Sequence, residues 1–215
     1  MSSKITDAAN PSRDCPLCPR LKAFRDVQRA AFPDWHNAPV PSFGPEKARL
    51  LIVGLAPGLR GANRTGRPFT GDYAGDLLFE TLLKFGFASG VYEQRSDDSL
   101  RLKDALICNA VRCVPPENKP VPAEIRTCNS FLRGQIARMP NVKAVLALGR
   151  IAHDAALDAL GARRAAYVFG HNARHDLGSV QLFDSYHCSR YNTNTGRLTA
   201  LMFEEVFANI RTVVK

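Results

Sequence analysis

Four consecutive apolar residues, Leu50-Leu-Ile-Val53, end at Gly54 and run straight into Leu-Ala-Pro-Gly58. An apolar run without alternation suits a strand buried on both faces, and parallel sheets are where such strands are found. In open α/β sheets ligands bind beyond the carboxyl ends of the strands. The segment that follows, to Asp72, carries glycines at 54, 58, 61, 66 and 71 among arginines, threonines and an asparagine. Glycine lets the backbone approach a ligand closely or take a positive φ. The same composition also suits an ordinary strand-to-helix loop, but unstructured loops of this length inside a compact domain are usually functional.

The same punctuation recurs along the chain. Apolar runs at 104–113, 142–148 and 179–186 read as further strands, and the stretches 19–32, 75–85, 123–138, 149–160 and 196–211 as helices. Pro33 closes the first helix, along which Leu21, Phe24, Val27 and Ala31 trace one face, and Thr195 is placed to cap the last. Strands alternating with helices predict an α/β fold, a three-layer α/β/α arrangement around a central, mainly parallel sheet of four strands. Residues 1–14 are polar and unpatterned and are expected to form a flexible tail, with 15–215 as a single domain. The proline-rich segment 115–122 can be neither helix nor central strand.

No apolar run approaches the ~20 residues that span a bilayer, and the first fourteen residues lack a signal-peptide core, so an intracellular, cytoplasmic location without a membrane partner is expected. In that reducing setting six cysteines favour metal binding, catalysis or free thiols over disulfides. Cys15 and Cys18 form a C-x2-C pair, and Cys113 and Cys128 supply two more thiols. Four thiolates can hold one zinc ion or one iron-sulfur cluster, and spacing does not choose between these. Cys108 lies inside an apolar run and reads as a small core residue. His171 and His175 have zinc-like spacing, yet they lie in a polar stretch without a third ligand and read as surface. The net charge of +9 favours a polyanionic partner, most simply nucleic acid.

Parallel strands bring the segments starting at Gly54, Asn109 and His187 to one sheet edge, so Asp72, Asn109 and His187 are expected to share a cleft. Taken in order, Gly54-Leu-Ala-Pro-Gly58, Asn63-Arg-Thr-Gly-Arg-Pro-Phe-Thr-Gly-Asp72, Asn109-Ala-Val-Arg-Cys-Val-Pro-Pro116 and His187-Cys-Ser189 with Asn192-Thr-Asn-Thr-Gly-Arg-Leu-Thr199 resemble uracil-DNA glycosylases of the iron-sulfur kind. The likeness is greatest to family 5, the B-type enzymes. It runs from Cys15 to the last helix.

The resemblance implies a monofunctional glycosylase, acting as a monomer, that excises uracil and other deaminated bases such as hypoxanthine or xanthine from DNA as the first step of base excision repair. It implies a 4Fe-4S cluster on Cys15, Cys18, Cys113 and Cys128. Gly54, Ala56 and Phe69 would form the base pocket, with Phe69 stacking on a flipped base and Asn109 reading its polar edge. Asp72 would stabilise the oxocarbenium-like sugar or orient water, and His187 would donate to the departing base. Arg64, Arg67, Arg112 and Arg197 are candidate phosphate clamps, and Tyr191 or Arg190 a wedge in the DNA stack. Each residue also has a plainer reading: Asp72 as a helix cap, Asn109 as a backbone partner, Phe69 as core, His187 as structural. A non-catalytic, metal-stapled nucleic-acid-binding module is the alternative from another class. Cys188 stands where many superfamily members have proline, and Gly54 to Gly58 contains no acidic or amide side chain.

Overall fold

The computed structural model describes residues 9–215. In chain order its helices are α1 (Pro19–Ala31), α2 (Ala62–Thr65), α3 (Tyr73–Lys84), α4 (Pro122–Ala137), α5 (Arg150–Ala159), α6 (Arg190–Asn194) and α7 (Ala200–Val213). The strands are β1 (Leu50–Gly54), β2 (Ala88–Ser89), β3 (Arg101–Leu102), β4 (Ala105–Asn109), β5 (Ala144–Leu148), β6 (Arg174–Asp176) and β7 (Gln181–Ser185).

The main sheet runs β4-β1-β5-β7-β6. Its first four strands are parallel, and β1, β4 and β5 are buried along their whole length, which is why they read as unbroken apolar runs. Alternate residues serve opposite faces. Leu50, Ile52, Ile107, Leu146 and Phe183 pack with Leu78 and Phe79 of α3 and Phe203 and Phe207 of α7. Leu51, Val53, Cys108, Val145 and Ala147 pack with Leu132 of α4 and Ala152, Ala155 and Ala156 of α5. Helices therefore cover both sheet faces, as the sequence pattern predicts, and Cys108 is the core residue expected. No helix among the described residues is long and apolar enough to cross a membrane.

The structure departs from the sequence expectations at several places, each with a local cause. The sheet has a fifth strand, β6, paired antiparallel to β7 at the edge. Its sequence, Arg-His-Asp, carries no apolar signal because a short, polar strand suits an exposed edge. Residues 9–14, assigned to a flexible tail, are anchored: Arg112 donates to the Ala9 carbonyl at 3.1 Å, and Asn10 Oδ1 accepts from the Ser42 amide at 3.0 Å. The rest of that tail, 1–8, lies outside the described residues. Helix α1 buries Leu21, Arg25 and Gln28, whereas Val27 is exposed, because the surface beneath it is not a purely apolar core. The last helix starts after Thr199, whose hydroxyl accepts from the Met202 amide, and the segment assigned to its first turn belongs to a loop behind the short helix α6.

Candidate active site

The carboxyl ends of β1, β4 and β7 open into a cleft of about 680 Å³. Ala56, Phe69, Asp72, Asn109 and His187 all line it, together with the backbone from Leu55 to Ala62. Gly54 lies directly behind, paired in register with Asn109 across the parallel ladder. A Cβ on Gly54 would collide with Asn109 Oδ1 and would stand 2.6 Å from Phe69 Cζ, so only a bare Cα lets these two side chains meet behind the pocket. Gly54→Ala is expected to reduce turnover by about 100-fold or more, because misplacing site groups by about 1 Å has that effect. Single-turnover kinetics beside a thermal melt check this; unchanged turnover would show that the contact does not set the pocket.

Phe69 is held in an unusual state for its residue type. Its φ is +55°, a region that bulky side chains occupy only under constraint from their surroundings. The constraint is visible: the Tyr92 hydroxyl donates to the Phe69 carbonyl at 3.1 Å, and Gly75, where any Cβ would strike that carbonyl, leaves room for it. The ring then lies nearly parallel to the imidazole of His187, with 5.8 Å between centroids and 25° between planes. A flat aromatic wall results.

Asp72 occupies the N-cap position of α3, but its side chain makes no capping hydrogen bond. Its Oδ1 is shielded from solvent and has no hydrogen-bond partner among the described residues. On the other side, Gly61 makes room for it, since a Cβ there would collide with Oδ2 and approach the Asp72 Cβ to 2.9 Å. Burial pushes the carboxyl above the usual carboxylate range, against the pull of the Gly75 and Ala74 amides. An unpartnered, shielded carboxylate oxygen costs about 1–3 kcal/mol, which is a poor arrangement for a cap and a suitable one for a group that must meet developing positive charge.

His187 follows β7 and is half-buried, with no ring hydrogen bond to the described chain. Burial pushes its imidazole down to about 4, so near neutrality the ring is uncharged and offers one N–H as a donor. Its loop is fixed by Asn192, which donates to the His187 carbonyl at 2.8 Å. Cys188 is fully buried, its thiol donating to the Ala74 carbonyl at 3.3 Å, so the residue after the histidine ties that loop to the start of α3. The side chain of Asn109 is buried and makes no hydrogen bond to the described chain, leaving its amide free for a ligand.

The arginines divide. Arg64, Arg190 and Arg197 are exposed near the cleft, with Arg190 over the ring of Tyr73 at 5.2 Å and Arg197 over that of Tyr186 at 4.6 Å. Tyr191 is 71% exposed, the freer of the two wedge candidates. Arg67 is not available to phosphate: it is buried and doubly hydrogen-bonded to Asp98 at 2.7 Å, against Phe43 and Phe79. Burial would raise Asp98, but Arg67 and the Glu93 and Leu100 amides hold it at about 2. Arg112 is likewise interior, bonded to Ser42 and the Ala9 carbonyl. Both anchor loops, since a buried guanidinium needs a partner. Cleft residues that the sequence reading missed include Arg60, Tyr73 and Asn118. Asn118, at φ +57°, sits in the proline-rich segment. Asparagine's tolerance of that conformation was the available signal.

The four predicted metal ligands converge as well. Cys15, Cys18, Cys113 and Cys128 line one small cavity beneath α1, with Leu21, Val111 and Phe131. Burial raises the thiols of Cys18, of Cys113 to about 11 and of Cys128 to about 12. Facing them is Arg25, 1% exposed, with no carboxylate partner among the described residues and its Nη1 3.5 Å from Cys113 Sγ. The Arg112 amide donates to Cys128 Sγ at 3.3 Å. A buried cation and an N–H aimed at sulfur fit a thiolate-held group with net negative charge.

A family model described as the Uracil DNA glycosylase superfamily matches residues 41–211. The chain belongs to this superfamily. Among curated proteins this superfamily member is 47% identical over 199 residues to a Type-5 uracil-DNA glycosylase of Thermus thermophilus, covering 89% of this chain and 90% of the relative. It is 39% identical to a Type-5 uracil-DNA glycosylase of Pyrobaculum aerophilum, covering 93% of this chain and 89% of the relative. A Type-4 uracil-DNA glycosylase of Archaeoglobus fulgidus matches over 53% of this chain. The likeness to the Type-5 proteins thus spans nearly the whole chain.

Proposed function

We propose that this protein is a monofunctional DNA glycosylase that hydrolyses the N-glycosidic bond of uracil in DNA, leaving an abasic site. The observation that carries the reading is the joint placement of an unpartnered, shielded Asp72 oxygen and an uncharged His187 in one aromatic-walled cleft. These are the two charge-handling groups that the reaction requires.

A base inside a duplex is out of reach, and extruding it costs a few kcal/mol. Arg60, Arg64, Arg190 and Arg197 around the cleft are placed to grip phosphates, and exposed Tyr191 to fill the vacated stack. Within the cleft the base lies on Phe69, and the Asn109 amide pairs with its polar edge. As the glycosidic bond lengthens, positive charge grows on the sugar and negative charge on the base. Ionised Asp72 stabilises the first and orients the attacking water. His187 donates a hydrogen bond to the base oxygen, and being neutral it does so without surrendering a proton. No lysine lines the cleft among the described residues, so hydrolysis by water fits better than a Schiff-base route with strand cleavage. Hypoxanthine and xanthine offer a comparable polar edge and are proposed as further substrates. Incubation with a uracil-containing duplex, then alkali, tests the reading: strand breakage at the uracil is expected, and an intact strand would overturn it in favour of a non-catalytic binding module.

Cys15, Cys18, Cys113 and Cys128 would hold a 4Fe-4S cluster, which serves as a structural cross-link. The link joins α1 to the segment that carries Asn118 to the cleft. Cys128→Ser is expected to abolish the brown colour, lower iron content and reduce Tm by roughly 10 °C or more. A colourless wild-type protein retaining zinc would overturn the cluster but leave the glycosylase reading intact.

A further inference from the structure

Behind the cleft, on the far edge of the sheet, three side chains from different elements converge. His153 of α5 is 1% exposed, Asp184 of β7 is fully buried, and the side chain of His175 on β6 is 14% exposed. His153 Nδ1 lies 2.7 Å from Asp184 Oδ1, and His175 Nε2 lies 3.0 Å from Asp184 Oδ2. The candidate ligand atoms of the three all fall within 4.8 Å of one another. None of the three lines the cleft. The sequence placed His175 on the surface without a third ligand; the fold supplies two more.

The opposite nitrogen of His153 decides the chemistry. Its Nε2 is 3.0 Å from the Tyr167 carbonyl, which can only accept, so Nε2 carries the proton. The 2.7 Å contact between Nδ1 and the buried carboxylate therefore needs a cation to hold it, either a second proton on His153 or a metal ion bound by both groups after a small separation. Asp184 has no lysine or arginine partner among the described residues; besides the two histidines, only the Gly170 amide approaches it, at 3.5 Å. A carbonyl on the outer nitrogen is also how metal-ligating histidines are ordinarily oriented.

We infer that His153, His175 and Asp184 form a binding site for one divalent metal ion of the zinc class, separate from the cysteine-held group. Two imidazole nitrogens and a carboxylate oxygen are a common three-ligand set for zinc, with a solvent oxygen as fourth. The ion neutralises Asp184 and takes up the Nδ1 and Nε2 lone pairs, releasing whatever protons those nitrogens carried. His175, 14% exposed on the edge strand, is the entry path. The phenyl ring of Phe169 and the phenol of Tyr167 wall the rest, 5.6 Å from His153 and 5.7 Å from His175. Bound there, the metal staples the edge hairpin β6–β7 onto α5, three residues upstream of His187.

The test uses full-length protein with its cysteine-held group intact, treated with Zn2+ and desalted. Elemental analysis is expected to find about one zinc ion per chain, with only nitrogen and oxygen neighbours in zinc X-ray absorption. A zinc concentration about 100-fold above the dissociation constant should raise Tm by roughly 5–10 °C. His175→Gln keeps a donor for Asp184 on the edge strand while removing the ligand, and Asp184→Asn removes the charge; both should lose the zinc, the former without loss of uracil excision. Zinc retained by His175→Gln, sulfur in its shell, or neither retention nor a Tm shift in the wild type would overturn the site, the last leaving a doubly protonated His153 paired with Asp184.

Discussion

Asp72→Asn is expected to lower the single-turnover rate on uracil-containing duplex by about 1,000-fold while changing DNA affinity by less than about 3-fold, the signature of a group that acts mainly in the transition state. The exchange is nearly isosteric and N-cap asparagine is as good as aspartate, so a capping role predicts almost no change in Tm or rate. As a cap Asp72 is at best incomplete, because the Ala74 and Gly75 amides lie near the carboxyl without a hydrogen bond of ordinary geometry and Oδ1 stays shielded and unpartnered. Comparable losses in rate and in affinity would instead mark Asp72 as structural. Gly58 and Gly61, which leave space around Oδ2, belong to the same device.

His187→Ala is expected to cost about 100- to 1,000-fold in the same rate, the usual consequence of deleting a preorganised donor to a developing anion. Its pH behaviour is the sharper readout. With the folded imidazole pushed down to about 4, the active, neutral form persists through pH 6.5, and the rate falls only as pH drops toward 4. Asp72, raised by burial, must be ionised and loses activity in the same direction. The acid limb therefore belongs to both groups, and His187→Gln should leave only the part due to Asp72. A rate that halves near pH 6.5 in the wild type would contradict a neutral histidine. The stability sign is consistent: an unfolded histidine takes up its proton near 6.5 and the folded one does not, so acidification between about 6.5 and 4 favours the unfolded chain.

The proposed division of labour matches the cleft's construction. A neutral donor and a half-shielded carboxylate are both unstable choices in isolation, and each is kept by something rigid behind it. The His187 loop is pinned by Asn192 and by the Cys188 thiol on Ala74, while Phe69 is strained into place by Tyr92. Storing strain of order 1–3 kcal/mol per residue at a site is affordable only where the surrounding core fixes it. Here the packed faces of β1, β4 and β7 do so.

How much of this was legible in the chain follows from the range of the forces involved. Strands buried on both faces announce themselves as unbroken apolar runs, helices as periodic ones, and the glycines of 54–71 mark where side chains are sterically forbidden; these are local, and the sequence by itself determined them. It also placed Asp72, Asn109 and His187 at one sheet edge, since parallel connectivity leaves no other arrangement, and it grouped the four cysteines. Tertiary structure alone decided which charged groups are free. Arg67 and Arg112 read like phosphate clamps beside a motif, yet each is interior, because the cost of desolvating a guanidinium is offset only where Asp98, or Ser42 and the Ala9 carbonyl, wait for it. Asn118 enters the cleft, and His175 meets His153 and Asp184, through contacts between residues distant in the chain. Such pairings depend on how layers stack, and no local pattern of residues encodes that.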